Sequence, residues 1–140
     1  MLRSLAFPAA LALLTVAAGA SAAPASAPHA AACVAALKAQ EASLAETVKA
    51  GAVAPEMLKV VQSGIAIIGT QYFAGLREAE ARQLLKSAEE DFQALPPAAA
   101  AERQAECLQE GHSLYEHASA LERSLITTAA QRRIKRITAA

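Results

Sequence analysis

The 140-residue sequence contains few of the residues on which β-structure depends. Aromatic residues make up 4% of the chain, tryptophan is absent, and no segment alternates β-branched with polar residues as a half-buried strand does. Beyond the N-terminal region the sequence is rich in Ala, Leu, Glu, Gln and Arg, which favour helices. The composition therefore argues against a β-rich fold and predicts an all-α protein.

The motifs of common active sites are also missing. The sequence has no G-x-S-x-G or H-E-x-x-H motif, no glycine-rich phosphate loop and no C-x-x-C-H haem attachment motif. Its 13 basic and 13 acidic residues provide no net attraction to nucleic acid or to anionic membranes. We therefore expect neither an enzyme nor a nucleic-acid-binding protein, and we assign no catalytic or cofactor-binding residue.

No apolar run is long enough to cross a bilayer, which takes about 20 residues, but a shorter run lies at the N terminus. Arg3 precedes the apolar segment 5–16, and an A-x-A cleavage site that ends at Ala22 follows it, with residues 18–20 as a second choice. We predict a cleaved signal peptide over residues 1–22 and export to the periplasm or the extracellular space. The mature chain then has no transmembrane anchor.

Four amphipathic segments follow a short, flexible Ala/Pro/Ser linker at residues 23–28. Pro55 suits the first position of a helix, and Pro96-Pro97 ends the third segment. Short connections between helices favour antiparallel packing, so we predict a single domain over residues 29–140, a small antiparallel bundle of about four helices. The four predicted helices cover approximately residues 29–50, 55–74, 76–95 and 98–137.

Two features of these segments leave alternatives open. The apolar stripe of the fourth segment shifts after Leu125, which predicts a bend, a kink or a projecting end. Gly64 and Gly69 would let another helix or a ligand approach the second segment, although small residues also simply fit a crowded helix. The basic run at the chain end complements the helix dipole, with a docking patch as the alternative: Arg132, Arg133, Lys135 and Arg136.

The segment ECLQEGHSLYEHAS is the most obvious place to seek a metal or haem site, because it contains Cys107, His112 and His117. On a helix the two histidines lie about 140° apart and cannot bind the same ion. Metal-binding pairs on helices usually stand three or four positions apart, and Gln109 and Leu114 occupy the positions three before the histidines. We therefore predict no metal site here, and we treat four residues as candidate surface or ligand contacts: His112, His117, Tyr72 and Tyr115.

The two cysteines, Cys33 and Cys107, both lie on apolar stripes. A pair of cysteines in an exported protein is more often a disulfide than two free thiols, so we predict that they are bonded. In a regular bundle they would differ in height by about 12 Å, whereas a disulfide allows about 4.4 to 6.8 Å between Cα atoms. Helix tilt or a lower start of the fourth helix would close this gap; otherwise the bridge joins two chains or the topology differs.

Two functions fit these observations. The first is an exported, non-enzymatic module that binds an unknown protein partner, or serves as an accessory or folding-helper protein. The second is a ligand-carrying bundle that holds haem or a small apolar molecule in its core, near Tyr72, Met57 and the fourth helix. Neither the ligand nor the oligomeric state follows from the sequence.

Overall fold

The computed structural model describes residues 25–48 and 55–139. These residues form five α-helices and no strand, which confirms the all-α prediction. The predicted signal peptide and the predicted end of the first helix at Ala50 lie outside the described residues. The helices are α1 (Ala27–Val48), α2 (Pro55–Phe73), α3 (Glu78–Gln93), α4 (Pro97–His117) and α5 (Ala120–Thr138).

Helices α1 and α2 form the centre of the bundle. α1 contacts each of the other four helices, and α2 packs against α1, α4 and α5. Gln71, near the end of α2, donates a hydrogen bond of 2.9 Å from Nε2 to the carbonyl of Ala25, just before α1. The two central helices are therefore antiparallel, as predicted for consecutive helices with a short connection.

Two clusters of apolar side chains fill the spaces between the helices. The larger cluster joins α1, α2 and α4, and the smaller one joins α1, α2 and α5. Both clusters include α1 and α2, and the buried alanines of α1 allow close packing. The larger cluster contains Ala30, Cys33, Val34, Ala36, Leu37, Val60, Ile67 and Cys107. The smaller one contains Ala45, Met57, Val61 and Ala130.

Helices α2 and α4 meet at Gly111. A Cβ atom at this position would lie 2.6 Å from the carbonyl oxygen of Ser63 and 2.7 Å from its Cβ, closer than packed atoms approach. At Gly64 and Gly69, which the sequence suggested for a close approach, an added Cβ would meet nothing within 4 Å. The glycine that permits the helix contact is therefore on the fourth helix and not on the second.

The predicted count of about four helices was too low, because the fourth segment consists of two helices. α4 ends at His117, where Ala118 takes the extended backbone conformation. Ser119 then caps α5: its hydroxyl accepts from the backbone N–H of Glu122, and the carboxylate of Glu122 accepts from the backbone N–H of Ser119. This reciprocal capping box starts a new helix six residues before Leu125, the point after which a bend, a kink or a projecting end was predicted.

Other helix ends follow local rules. α1 begins at Ala27, so the last two residues of the predicted linker are helical; Pro28 is tolerated because the first turn of a helix needs no N–H donor there. Gly75 follows α2 and has a φ of +91°, a backbone conformation that favours glycine. It lies between α2 and α3, so the predicted break between the second and third helices is confirmed.

The length and position of α3 bring the two cysteines to one height. α3 has 16 residues, and its Glu89 pairs with Lys38 in the middle of α1, at 2.6 Å. Its C-terminal end, where Pro96 and Pro97 stop the helix, therefore lies well below the C-terminal end of α1, and α4 starts from that lower level. A lower start of the fourth helix is one of the two changes that were expected to close the height difference between the cysteines.

Arg133 fastens α5 to α1. Its Nε lies 3.0 and 3.1 Å from the two carboxylate oxygens of Glu41, and a terminal nitrogen lies 2.8 Å from one of them. Glu41 is buried, so this contact neutralises a carboxylate inside the bundle. One member of the basic C-terminal run thus has a structural role.

Candidate functional site

The cysteine pair forms a bridge within one chain. The Cα atoms of Cys33 and Cys107 lie 5.1 Å apart and their sulfur atoms lie 2.12 Å apart. Both side chains are buried in the larger apolar cluster. Close by, Gln104 on α4 donates a hydrogen bond of 3.3 Å to the carbonyl of Ala36 on α1, so α1 and α4 run antiparallel at the bridge.

Two further residues complete a polar group around this bridge, which we name the cysteine cluster: His29, Cys33, Cys107 and Glu110. Nε2 of His29 lies 2.8 Å from Oε2 of Glu110. The sulfur of Cys33 lies 3.8 Å from Nε2 of His29 and 3.7 Å from Oε2 of Glu110. One nitrogen, one sulfur and one carboxylate oxygen thus lie within 4.8 Å of one another.

The cysteine cluster is buried at its sulfur atoms and open to solvent at its rim. The side chain of His29 is 53% exposed and that of Glu110 is 34% exposed, whereas Cys33 and Cys107 are 1% and 3% exposed. A disulfide sulfur is a poor metal ligand, because the thiolate is the binding form of cysteine. In the bonded state the cluster is therefore a disulfide beside a His–Glu pair.

His29 and Glu110 were not predicted from the sequence, where only His112 and His117 stood out as candidate metal ligands. His29 stands four positions before Cys33, and Glu110 stands three positions after Cys107. Both pairs satisfy the spacing that places side chains on one helix face. This signal is present in the sequence, but its meaning depends on the pairing of α1 with α4.

The two histidines of the ECLQEGHSLYEHAS segment each pair within their own helix. Nε2 of His112 lies 3.1 Å from a carboxylate oxygen of Glu116. Nδ1 of His117, an exposed residue, lies 2.7 Å from the carbonyl oxygen of Ser113. These partners are consistent with surface positions on the flanks of α4.

The two tyrosines proposed as ligand contacts lie in different surroundings. The hydroxyl of Tyr115 lies 3.0 Å from the hydroxyl of Thr127, which also accepts a hydrogen bond of 3.1 Å from Gln62. Tyr115 therefore helps to hold α5 against α4 and α2. Tyr72 is 57% exposed, and its side chain borders a surface cleft.

This cleft, which we name the α1–α3 cleft, lies between α1, α2 and α3 and has a volume of about 220 Å³. It exists because α3 covers its neighbours incompletely: no residue of α3 is fully buried, and Leu84 and Leu85 are only half-buried. Most of the lining is apolar, and it includes Ala30, Ala31, Val34, Ile68, Ala81 and Leu85.

Most polar side chains at the α1–α3 cleft already have a hydrogen-bond or ion-pair partner. The Gln71 amide donates to the carbonyl of Ala25, and Arg82 forms an ion pair with Glu78 four positions earlier in α3. Phe73, the residue after Tyr72 in α2, is 90% exposed. The cleft thus has an apolar floor and one exposed tyrosine at its border.

A second cleft lies further along α1, beside the middle of α2, and has a volume of about 250 Å³. Glu41 and Arg133 line it together with Lys38, so the Glu41–Arg133 ion pair and a lysine face this space. Tyr72 does not line this second cleft.

No helix in residues 25–48 and 55–139 is long and apolar enough to cross a membrane. No family model matches the sequence, and neither a curated protein nor a solved structure matches it.

Proposed function

We propose that this chain is an exported, non-enzymatic binding module that takes apolar side chains of a protein partner into the α1–α3 cleft. The observation that carries the proposal is an apolar cleft with the exposed Tyr72 at its border. Phe73, the next residue in the same helix, is also exposed. Exposed apolar surface of this kind is typical of interaction sites. An accessory or folding-helper role uses the same surface.

The size and surroundings of the cleft favour a protein segment over a small molecule. Its volume of about 220 Å³ is below the roughly 300 to 1,000 Å³ of most small-molecule sites. Tyr72 lies at the border of the cleft, and the side chains of Tyr72 and Phe73 are both exposed. Aromatic residues of this type dominate the binding energy of many protein interfaces.

A ligand held in the core receives less support from the packing. Met57 is 2% exposed and packs in the smaller apolar cluster with Ala45, Val61 and Ala130, which identifies it as a packing residue. His112 and His117 are paired on the flanks of α4. The proposal therefore concerns the surface and includes no haem.

Export rests on two observations of different kinds. The N-terminal sequence has the pattern of a signal peptide that ends near Ala22. The buried Cys33–Cys107 disulfide is of the type that persists in oxidising compartments. Periplasmic or secreted protein is therefore the form proposed to bind partners.

The test uses oxidised protein expressed from the full 140-residue chain with its own N terminus. The intact mass of the purified protein shows whether the predicted signal peptide has been removed. Short fluorescent peptides of constant charge and increasing leucine and phenylalanine content are titrated by anisotropy. We expect saturable binding that strengthens with apolar content. Ala81→Leu fills the cleft and should weaken peptide binding at least about tenfold. The peptide can then no longer bury apolar surface worth about 1.4 kcal/mol in the cleft.

Ala105→Leu, on the exposed face of α4, is the matched control and should bind as the wild type does. Circular dichroism of both variants confirms that they are folded. Equal peptide affinity in wild type and Ala81→Leu would refute the cleft as the binding site. Saturable binding of a small apolar dye that peptides do not displace would contradict the choice of a protein partner.

A further inference from the structure

We propose that reduction of the Cys33–Cys107 disulfide converts the cysteine cluster into a binding site for Zn²⁺. The ligands are Nε2 of His29, the sulfur of Cys33, an oxygen of Glu110 and, as the fourth donor, the released sulfur of Cys107. The disulfide and the metal site use the same two sulfur atoms, so they exclude each other. The chain is thereby a zinc-binding protein only in its reduced state.

The arrangement of the donors on the helices supports this site. His29 and Cys33 stand four positions apart on α1, and Cys107 and Glu110 stand three positions apart on α4. Residues at these spacings share one helix face, and such pairs from facing helices build many metal sites in helical bundles. Here the two faces are turned toward each other, because the disulfide joins them.

Two of the three distances between the donor atoms are close to those of a tetrahedral zinc site. With about 2.3 Å for Zn–S and 2.0 to 2.2 Å for Zn–N and Zn–O, tetrahedral sulfur lies about 3.5 Å from the nitrogen and oxygen donors. The sulfur of Cys33 lies 3.8 Å from His29 Nε2 and 3.7 Å from Glu110 Oε2. The 2.8 Å between His29 and Glu110 has to widen by about 0.5 Å.

Reduction supplies the missing ligand chemistry. A dithiol provides two electrons and two protons: the bond between Cys33 and Cys107 breaks, two S–H bonds form, and the dithiol leaves as its own disulfide. Zn²⁺ then displaces the two thiol protons, and the thiolates bind it. To serve as the fourth donor, Cys107 has to rotate about its Cα–Cβ bond away from Cys33.

The surroundings of the cluster fit a divalent cation. Two thiolates and one carboxylate would provide three negative charges around Zn²⁺, and sulfur with imidazole is a donor set that favours zinc over magnesium or calcium. His29 and Glu110 are the exposed members and form the entrance, while the sulfur atoms lie in the apolar cluster. Burial of the sulfur atoms protects the bound metal from exchange with solvent.

The experiment uses Co²⁺ as a spectroscopic substitute for Zn²⁺. The full chain is reduced with dithiothreitol, desalted without oxygen and titrated with Co²⁺, beside oxidised protein. We expect one tetrahedral Co²⁺ per reduced chain, with intense visible bands and thiolate charge-transfer bands, and displacement by one Zn²⁺. Oxidised protein should show neither set of bands.

Three variants test the ligands. His29→Ala and Glu110→Ala should each weaken Co²⁺ binding by more than the roughly 10- to 100-fold that loss of an outer partner costs. His112→Ala is the matched control, because His112 also pairs with a glutamate but has no cysteine beside it, and it should bind as the wild type does. Circular dichroism reports folding, and metal should restore any helix content that reduction removes.

Two results would overturn the site. One is reduced protein that binds Co²⁺ no better than oxidised protein. The other is tetrahedral binding that His29→Ala and Glu110→Ala leave unchanged, because the two thiols then bind the metal without the site described. Neither result depends on peptide binding at the α1–α3 cleft, so this proposal and the proposed function fail separately.

Discussion

Glycine and alanine set the distances between the central helices of this bundle. Ala36 on α1 is fully buried, and Gly111 on α4 brings its helix against the backbone of α2 at Ser63. In a protein with so few aromatic residues, close contact between small residues replaces the bulk of large side chains in the core. The energetic role of a small residue then depends on what lies opposite it.

Gly111→Ala should destabilise the protein by about 1 to 3 kcal/mol, because the added methyl group overlaps the backbone and Cβ of Ser63 and the helices must separate. Urea unfolding followed by circular dichroism measures the change. Gly64→Ala is the control, since open space surrounds that position and alanine favours a helix by about 0.5 to 1 kcal/mol over glycine. A Gly111→Ala variant as stable as Gly64→Ala would show that the α2–α4 contact is not tight.

At the scale of elements, the separation of α4 from α5 determines where the C-terminal part of the chain packs. α4 packs mainly against α2 and α1, and after the break at Ala118 and Ser119 the next helix packs mainly against α2. This change of direction places Arg133 beside Glu41 and Ala130 in the smaller apolar cluster. The cap at Ser119 therefore positions a whole helix.

Ser119→Ala should reduce the free energy of unfolding by about 1 kcal/mol, because the backbone N–H of Glu122 loses its hydrogen-bond acceptor at the start of α5. The measurement is again urea unfolding. Ser124→Ala, at an exposed position in the second turn of α5, should change stability by less than about 0.5 kcal/mol. Equal losses in both variants would mean that the cap contributes nothing beyond an ordinary surface serine.

The sequence predicted two kinds of feature well: helices with a regular apolar period, and helix ends marked by proline or glycine. Pro55, Gly75 and Pro96-Pro97 marked helix ends because backbone chemistry acts locally there. The division at Ser119 was missed, although Glu122 completes a capping-box motif, because the apolar stripe continues through it to Leu121 and Leu125. A local signal was present, and the longer pattern obscured it.

The candidate sites depend on arrangements that no single segment contains. The α1–α3 cleft arises because α3 packs loosely on α1, and the position of Tyr72 beside it follows from that packing. His29 and Glu110 belong to different helices, and they meet only in the register of α1 and α4 that accompanies the disulfide. Sequence periodicity predicts faces of helices but not which faces meet.

At the scale of the whole molecule, the disulfide links the first helix, α1, covalently to α4. It closes a loop over a sequence separation of 74 residues, which contains α2, α3 and most of α1. Restricting an unfolded chain in this way is worth about 4 kcal/mol in the chain-entropy model. A small bundle has only about 5 to 15 kcal/mol of stability in total, so the bridge is a large part of it.

Reduction of the disulfide should therefore lower the free energy of unfolding by roughly 2 to 5 kcal/mol. Oxidised and reduced protein are compared by urea unfolding in the presence of EDTA, which keeps any metal from stabilising the reduced form. Alkylation without reduction, followed by intact mass, verifies that oxidised monomer carries no labelled cysteine. A doubly labelled monomer would contradict the intrachain bridge directly.

The double variant Cys33→Ala/Cys107→Ala separates the bridge from the side chains that form it. Its unfolding should be independent of reductant and should occur near the urea concentration that unfolds reduced wild type, because both lack the loop closure. The loss should also exceed that of Ser119→Ala, since a cap acts on one helix end and the bridge restricts most of the unfolded chain. If oxidised wild type and the double variant unfold together, the packing around Ala36 and Leu37, and not the bridge, holds α1 against α4.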